Sequence, residues 1–137
     1  MRPMRPARFS WQRLTGALLL TAATATGAVG QIALGAADSK PYDERLMRLS
    51  EILGAVHYLR ELCGANDGQV WRDRMKELMD SEGSTALRRA KLTRSFNSGY
   101  RSYSRTYNVC SQSAQTAITR FLAEGADIAE SLAKTAP

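Results

Sequence analysis

Apolar residues recur every three or four positions over the segment that follows Pro41. They are Leu46, Leu49, Leu53, Val56 and Cys63, with Ile52 and Leu59 widening the stripe. This spacing is the period of an amphipathic α-helix. Pro41 suits a first helical turn, and Gly64 suits the position just beyond a helix end. The pattern therefore predicts a first helix between these two residues.

A second, shorter helix is predicted from about Val70 to Ser81. Trp71, Met75 and Leu78 would lie on one face of it, and Gly83 would end it. Ser84 or Thr85 can then cap a third helix, because a hydroxyl oxygen can accept a hydrogen bond from a free backbone N–H of the first turn.

The longest periodic stretch begins at Leu92 and keeps its register for about 30 residues. Its apolar or small members are Leu92, Phe96, Gly99, Tyr103, Tyr107, Cys110, Ala114, Ala117 and Phe121. We expect one long helix of about 37 residues, or two collinear helices with a bend near Asn108. Gly125 should end it, before a short terminal helix or frayed tail over 126–134. The small residues of the stripe, such as Gly99, would let a neighbouring helix approach closely.

No segment alternates apolar and polar residues as a strand would. The predicted fold class is therefore all-α. We expect a small antiparallel helical hairpin or bundle of three to four helices with one long helix, after an N-terminal signal peptide.

The N-terminal segment has the order of an export signal. Arginines at positions 2, 5, 8 and 13 precede an uncharged run over 14–37. Small residues permit cleavage between 30 and 31 or between 35 and 36, so residues 1–35 are assigned to a signal peptide and 36–137 to a single helical periplasmic domain. The alternative is an inner-membrane anchor that is not cleaved, since 24 uncharged residues can span a bilayer. In both cases the segment after Asp38 is exported.

Charge and composition narrow the class of partner. The chain has 137 residues, 19 Lys and Arg, 13 Asp and Glu, and a net charge of +6. Removing residues 1–37 takes away four arginines and no acid, which leaves +2. A nucleic-acid partner is therefore disfavoured. Two Cys and one His are too few for a structural zinc site, and we expect no cofactor and no metal.

The two cysteines, Cys63 and Cys110, both fall on stripes predicted to face the core. Because an exported protein meets an oxidising compartment, we predict one intramolecular disulfide. The alternative is a pair of buried free thiols. A redox-active pair is disfavoured, since the two residues do not form a Cys-x-x-Cys motif.

A basic ridge is predicted on the third helix. Arg94, Arg101 and Arg105 lie within about 40° of each other, on the side opposite the apolar stripe. Between Gly83 and Ala123 there are seven basic residues and no acid. The functional hypothesis is a docking surface for an acidic protein, peptidoglycan or an anionic lipid headgroup. The alternative is a solvated helix face, partly neutralised by the acidic first and second helices.

His57 and Arg60 lie at the apolar edge of the first helix, and we assign both a structural polar role. Arg60 should pair with an acid such as Asp73, Glu77 or Glu82. His57 acting as a general base would need a nucleophile and an orienting acid, and no motif supplies them.

Several motifs resemble those of a family of small exported proteins of unknown function in alphaproteobacteria. They include Tyr-Asp at 42–43, Arg-Leu-Ser-Glu-Ile-Leu-Gly at 48–54, His-Tyr-Leu-Arg at 57–60 and Leu-Cys-Gly at 62–64. Trp-Arg at 71–72, Arg-Arg-Ala at 88–90 and the stretch from Phe96 to Cys110 resemble the same family. The resemblance implies the periplasm of a Gram-negative bacterium and no established chemistry.

Together these observations predict a non-enzymatic, disulfide-linked periplasmic protein that binds an envelope partner through the basic ridge. One alternative is an enzyme that acts on cell-wall material through His57. Another is a periplasmic chaperone, which would expose an apolar groove instead of a basic ridge.

Overall fold

The structure, a computed structural model, describes residues 38–135. The predicted signal peptide lies outside these residues. The described chain holds four α-helices and no strand, which confirms the all-α fold class. The helices are α1 (Asp43–Leu62), α2 (Gly68–Glu82), α3 (Ala86–Thr106) and α4 (Gln112–Thr135).

Helix α1 lies at the centre, and each of the other three helices packs against it. Leu46, Ile52, Val56 and Leu59 are almost fully buried and form the middle of the core. A helix covered from several sides needs apolar or small residues around most of its circumference. This is why α1 carries an apolar stripe that is wider than a single contact requires.

The helix directions follow from pairs of contacts at their ends. Arg88 of α3 contacts Asp43 at the start of α1, and Cys110, just after α3, is bonded to Cys63 just after α1. Helices α1 and α3 therefore run in the same direction.

Helices α2 and α4 run in the opposite direction to α1. The hydroxyl of Tyr42, just before α1, donates to Glu82 at the end of α2. Arg48, near the start of α1, contacts Glu124 in the second half of α4. The bundle is thus built up, down, up, down along the chain.

Helices α1 and α3 touch through their backbones. A Cβ atom placed on Gly99 would lie 1.9 Å from the carbonyl oxygen of Glu51, and one on Gly54 would lie 1.9 Å from that of Phe96. No side chain fits at either place. The predicted close approach at Gly99 is therefore confirmed, and Gly54 is its counterpart on α1.

The prediction of one long helix is wrong. Helix α3 ends at Thr106, the chain turns over residues 107–111, and α4 runs back along α1. The Tyr58 hydroxyl donates to the carbonyl of Tyr107, where the backbone is extended. Ser111 then accepts a hydrogen bond from the backbone N–H of Ala114 at the start of α4. The break lies at the predicted position, near Asn108, but the two helices are not collinear.

The predicted end of this helix at Gly125 is also wrong, because α4 continues to Thr135. A Cβ atom on Gly125 would meet the Cγ2 atom of Ile52 at 3.3 Å. The absence of a side chain at this position thus serves packing against α1 rather than helix termination.

Candidate functional site

Cys63 and Cys110 are joined by a disulfide, with an S–S distance of 2.05 Å and a Cα–Cα distance of 4.8 Å. Cys110 lies in the loop between α3 and α4 and is exposed, so its predicted place on a core-facing stripe is wrong. The bond ties this loop to the end of α1. It therefore holds the point at which the chain reverses direction.

The three arginines of the predicted ridge share one exposed surface, here named the α3 basic face: Arg94, Arg101 and Arg105. Smaller residues of the same helix lie beside or between them, and together with the three arginines they line a shallow groove of about 590 Å³. These smaller residues are Ala90, Thr93, Asn97 and Ser98. Within residues 38–135, none of the three guanidinium groups is within 4.0 Å of an acidic group.

Two other arginines of α3 have a different environment. Arg88 is buried against Asp43 and Glu82, and Arg89 lies 3.7 Å from Asp80. The acidic neighbours foreseen in the solvated-face alternative therefore neutralise the start of α3. They do not reach the α3 basic face.

Arg88 is a buried cation, although the charge pattern of the chain groups it with the surface charges. It is 1% exposed, its Nη2 lies 2.7 Å from Asp43 Oδ1, and its Nε donates to the backbone carbonyl of Glu82 at 2.6 Å. Burial opposes ionisation of Asp43, but the contact with Arg88 and a hydrogen bond from the backbone N–H of Lys40 together lower the pKa of that carboxyl. The signal that could have found it is its place four residues before Leu92, on the apolar stripe.

His57 is packed inside the bundle, with 1% of its surface exposed. Its Nε2 accepts a hydrogen bond from Arg72 Nε at 3.0 Å, and its ring stacks on Phe96. Its Nδ1 lies 3.8 Å from Glu61 Oε1. Burial lowers the pKa of the imidazole, although the charge of Glu61 acts against this shift. Burial and the hydrogen bond from Arg72 both favour the neutral ring, and its accepting nitrogen is already occupied.

Arg60 pairs with Asp67 and not with Asp73, Glu77 or Glu82, so the predicted partners are wrong. Its Nε donates to Asp67 Oδ2 at 2.8 Å. The loop between α1 and α2 is short and brings Asp67 back to the end of α1. Glu82 lies at the other end of α2, beside Tyr42. The pair links the two helix ends that this loop joins.

An apolar groove lies between α2 and α4. No motif in the sequence indicated its position. Leu49, Leu53 and Val56 of α1 form its floor, and Trp71 and Leu78 stand on its α2 side. Its volume is about 590 Å³. The chaperone alternative expected such a groove instead of a basic surface, whereas the structure has both.

The part of the chain that the structure describes contains neither a metal-binding cluster nor a membrane-spanning helix. No cluster of three or more His, Cys, Asp or Glu there could hold a metal ion. None of the four helices has the length and apolar character needed to cross a membrane.

Comparison with protein families matches residues 41–135 to the family described as "Protein of unknown function (DUF2385)". No curated protein and no solved structure matches the chain. The match covers all four helices.

Proposed function

Since the chain belongs to the DUF2385 family of proteins of unknown function, we propose that it is an exported, non-enzymatic protein that binds an anionic component of the cell envelope through the α3 basic face. The observation that carries this proposal is the absence of acidic partners around Arg94, Arg101 and Arg105 within residues 38–135. In the same helix, Arg88 and Arg89 both have such partners.

The geometry of the α3 basic face suits an extended anionic partner. At 1.5 Å per residue, the three side chains are distributed along about 17 Å of helix. Each guanidinium can bind a carboxylate or phosphate through two parallel hydrogen bonds. The smaller residues beside and between them, such as Ala90 and Ser98, leave room for the partner to approach the helix. The surface can therefore bind several anionic groups in a row.

Two further observations support an exported location. Arginines followed by an uncharged run at residues 2–37 have the order of an export signal. The Cys63–Cys110 disulfide is of a kind that persists in oxidising compartments such as the bacterial periplasm. We include the periplasm of a Gram-negative bacterium in the proposal on these grounds.

The test replaces Arg94, Arg101 and Arg105 together with Gln. A matched control replaces three exposed basic residues that each have an acidic neighbour, Lys76, Arg89 and Lys134. Both variants lose the same charge, and circular dichroism checks that both are folded. We expect the first variant to bind the envelope fraction about tenfold or more weakly, and the control to bind like the wild type.

Co-sedimentation with three materials identifies the anion. These are purified peptidoglycan, vesicles of anionic phospholipid and vesicles of zwitterionic phospholipid. Crosslinking in cells, followed by mass spectrometry, reports an acidic protein partner. Binding that depends on the α3 basic face should weaken as salt is raised, because exposed charges are screened. Equal binding by the wild type, the control and the triple variant in every assay would overturn the proposal.

A further inference from the structure

Helix α4 carries more apolar surface than its own bundle covers. Its core side includes Ala117, Phe121 and Leu132, all buried. Beside this side runs a second apolar line, the outer stripe of α4, which is exposed to solvent. The stripe consists of Leu122, Ala126, Ala129 and Ala133, spaced by four, three and four positions. At 100° per residue, its members lie within about 60° of each other.

The outer stripe borders the apolar groove. Leu122, Ala126 and Ala129 line the α4 side of the groove, opposite Trp71 and Leu78 of α2. The backbones of helices α2 and α4 do not approach each other closely, although both helices pack against α1. Their side chains meet only towards one end, where Met75 and Leu132 belong to one apolar cluster. Along the rest of their length the groove separates the two helices, and the side chains of α1 are the floor of that gap.

A helix that fills this gap needs an apolar line at helical spacing and small side chains that fit between α2 and α4. The outer stripe of α4 has both properties. In a pair related by a two-fold axis, the same surface of each copy meets that of the other, so each α4 can cover the groove of its partner. From this self-complementarity we propose that the groove binds α4 of a second copy of this chain, which gives a symmetric dimer.

The charges at the edges agree with this arrangement. Arg74 and Glu77 line the α2 side of the groove, and Glu130 lies next to the outer stripe, about 40° from Ala126 around α4. Each edge thus carries one charge of each sign, since Glu130 is accompanied by Lys134. Arg74 of one copy can therefore pair with Glu130 of the other, and Glu77 with Lys134. Within one copy, Arg74 pairs with Glu77, and Glu130 pairs with Lys134. Both contacts are exposed, so they are weak and easily exchanged.

A partner helix accounts for the exposed surface better than a lipid chain. An acyl chain lying on the floor of the groove would leave the outward side of Leu122, Ala126 and Ala129 in water. A helix would cover the floor and the outer stripe together. The apolar surface therefore has the extent of a helix contact.

The test measures the molar mass of the full-length protein, purified in the form that the cell produces, by sedimentation over a range of concentrations. We expect a monomer–dimer equilibrium for the wild type. Ala129→Glu should raise the dissociation constant at least about tenfold, because it places a charge in the contact. Thr116→Glu is the matched control, since Thr116 is exposed near the start of the same helix, about 20 Å along it from Ala129, and does not line the groove. It should dimerise like the wild type.

A charge exchange adds a second measurement. Arg74→Glu should weaken the dimer, and the double variant Arg74→Glu with Glu130→Arg should restore it. The Arg94, Arg101 and Arg105 to Gln variant should dimerise normally, because α3 does not line the groove. A wild-type protein that stays monomeric at every concentration, or one that retains a lipid in native mass spectrometry, overturns the proposal. A dimer that Ala129→Glu leaves unchanged overturns it as well.

Discussion

At the scale of single residues, burial decides what a charged or polar side chain does. Arg88 and Arg94 lie in one helix and carry the same charge. Arg88 is on the side facing α1 and is enclosed by carboxylates, whereas Arg94 faces solvent without one. A buried cation whose partners were removed would cost several kcal/mol. Arg88 is therefore part of the fold, and the α3 basic face is available for binding.

His57 gives a test at this scale, because it is the only histidine of the chain. Burial lowers its pKa from the ordinary value of 6.5. The unfolded chain then binds the proton more readily than the folded one. The stability contributed by the neutral ring is fully present above pH 6.5, and it decreases as the pH falls towards the folded-state pKa.

The pKa is measured by following the imidazole resonances by NMR as the pH is lowered. We expect a midpoint below 6.5. We also expect the free energy of unfolding to fall more between pH 7 and pH 5 for the wild type than for His57→Gln, which has no titrating ring. A midpoint at or above 6.5 would contradict this expectation, because the charge of Glu61 would then outweigh burial.

At the scale of elements, the contact between α1 and α3 depends on two glycines. Gly54 and Gly99 let the helix backbones approach until no Cβ atom fits between them. Such a contact sets the register of the two helices, because any side chain there would push them apart. This register also places the ends of α1 and α3 where Cys63 and Cys110 can bond.

Gly99→Ala should lower the free energy of unfolding by about 3 kcal/mol or more, because the new methyl group would overlap the carbonyl oxygen of Glu51. Chemical denaturation measures this loss. Gly125→Ala is the control, since its methyl group would meet only the ends of the Ile52 and Leu49 side chains, which can shift by a few tenths of an ångström, and alanine favours the helix. Its midpoint should stay close to that of the wild type. Equal midpoints for the two variants would contradict the close contact.

Periodicity could not reveal that α3 and α4 are separate helices. Five residues lie between them, and Tyr107 and Cys110 in this loop happen to continue the apolar period of α3 into α4. A pattern of apolar positions records which face is buried, and it carries no information about the direction in which the chain continues. The reversal depends on contacts from outside the segment, such as the hydrogen bond from Tyr58 to Tyr107.

At the scale of the whole molecule, one helix at the centre and three around it leave an open position between α2 and α4. The disulfide lies at the end of α1 and holds the loop that sends α4 back along it. The disulfide and the open groove therefore affect different parts of the molecule. The disulfide fixes the path of the chain, and the open groove leaves a surface to be covered.

The double variant Cys63→Ser with Cys110→Ser tests the contribution of the disulfide to stability. The bond closes a loop of 47 residues, and the chain-entropy relation then gives a loss of about 4 kcal/mol without it. Denaturant unfolding under non-reducing conditions measures the loss, and reduced wild-type protein should unfold like the variant. An unchanged midpoint for the variant would mean that the bond does not constrain the unfolded chain.

The sequence by itself determined the all-α class, the approximate extents of α1 and α2, and the need for a small residue at Gly99. These features follow from local spacing, since a 3.6-residue period and the residues that end a helix can be recognised within a short stretch of the chain. The alignment of the α3 basic face also follows from spacing alone, because 100° per residue places Arg94, Arg101 and Arg105 together.

Only the tertiary structure decided which of these residues are free to act. The burial of Arg88, the pairing of Arg60 with Asp67 and the reversal after Tyr107 each depend on groups that are brought together by packing. The groove between α2 and α4 is likewise a space between helices distant in the chain. Contacts across the fold set burial and charge pairing, and local spacing along one segment cannot encode them.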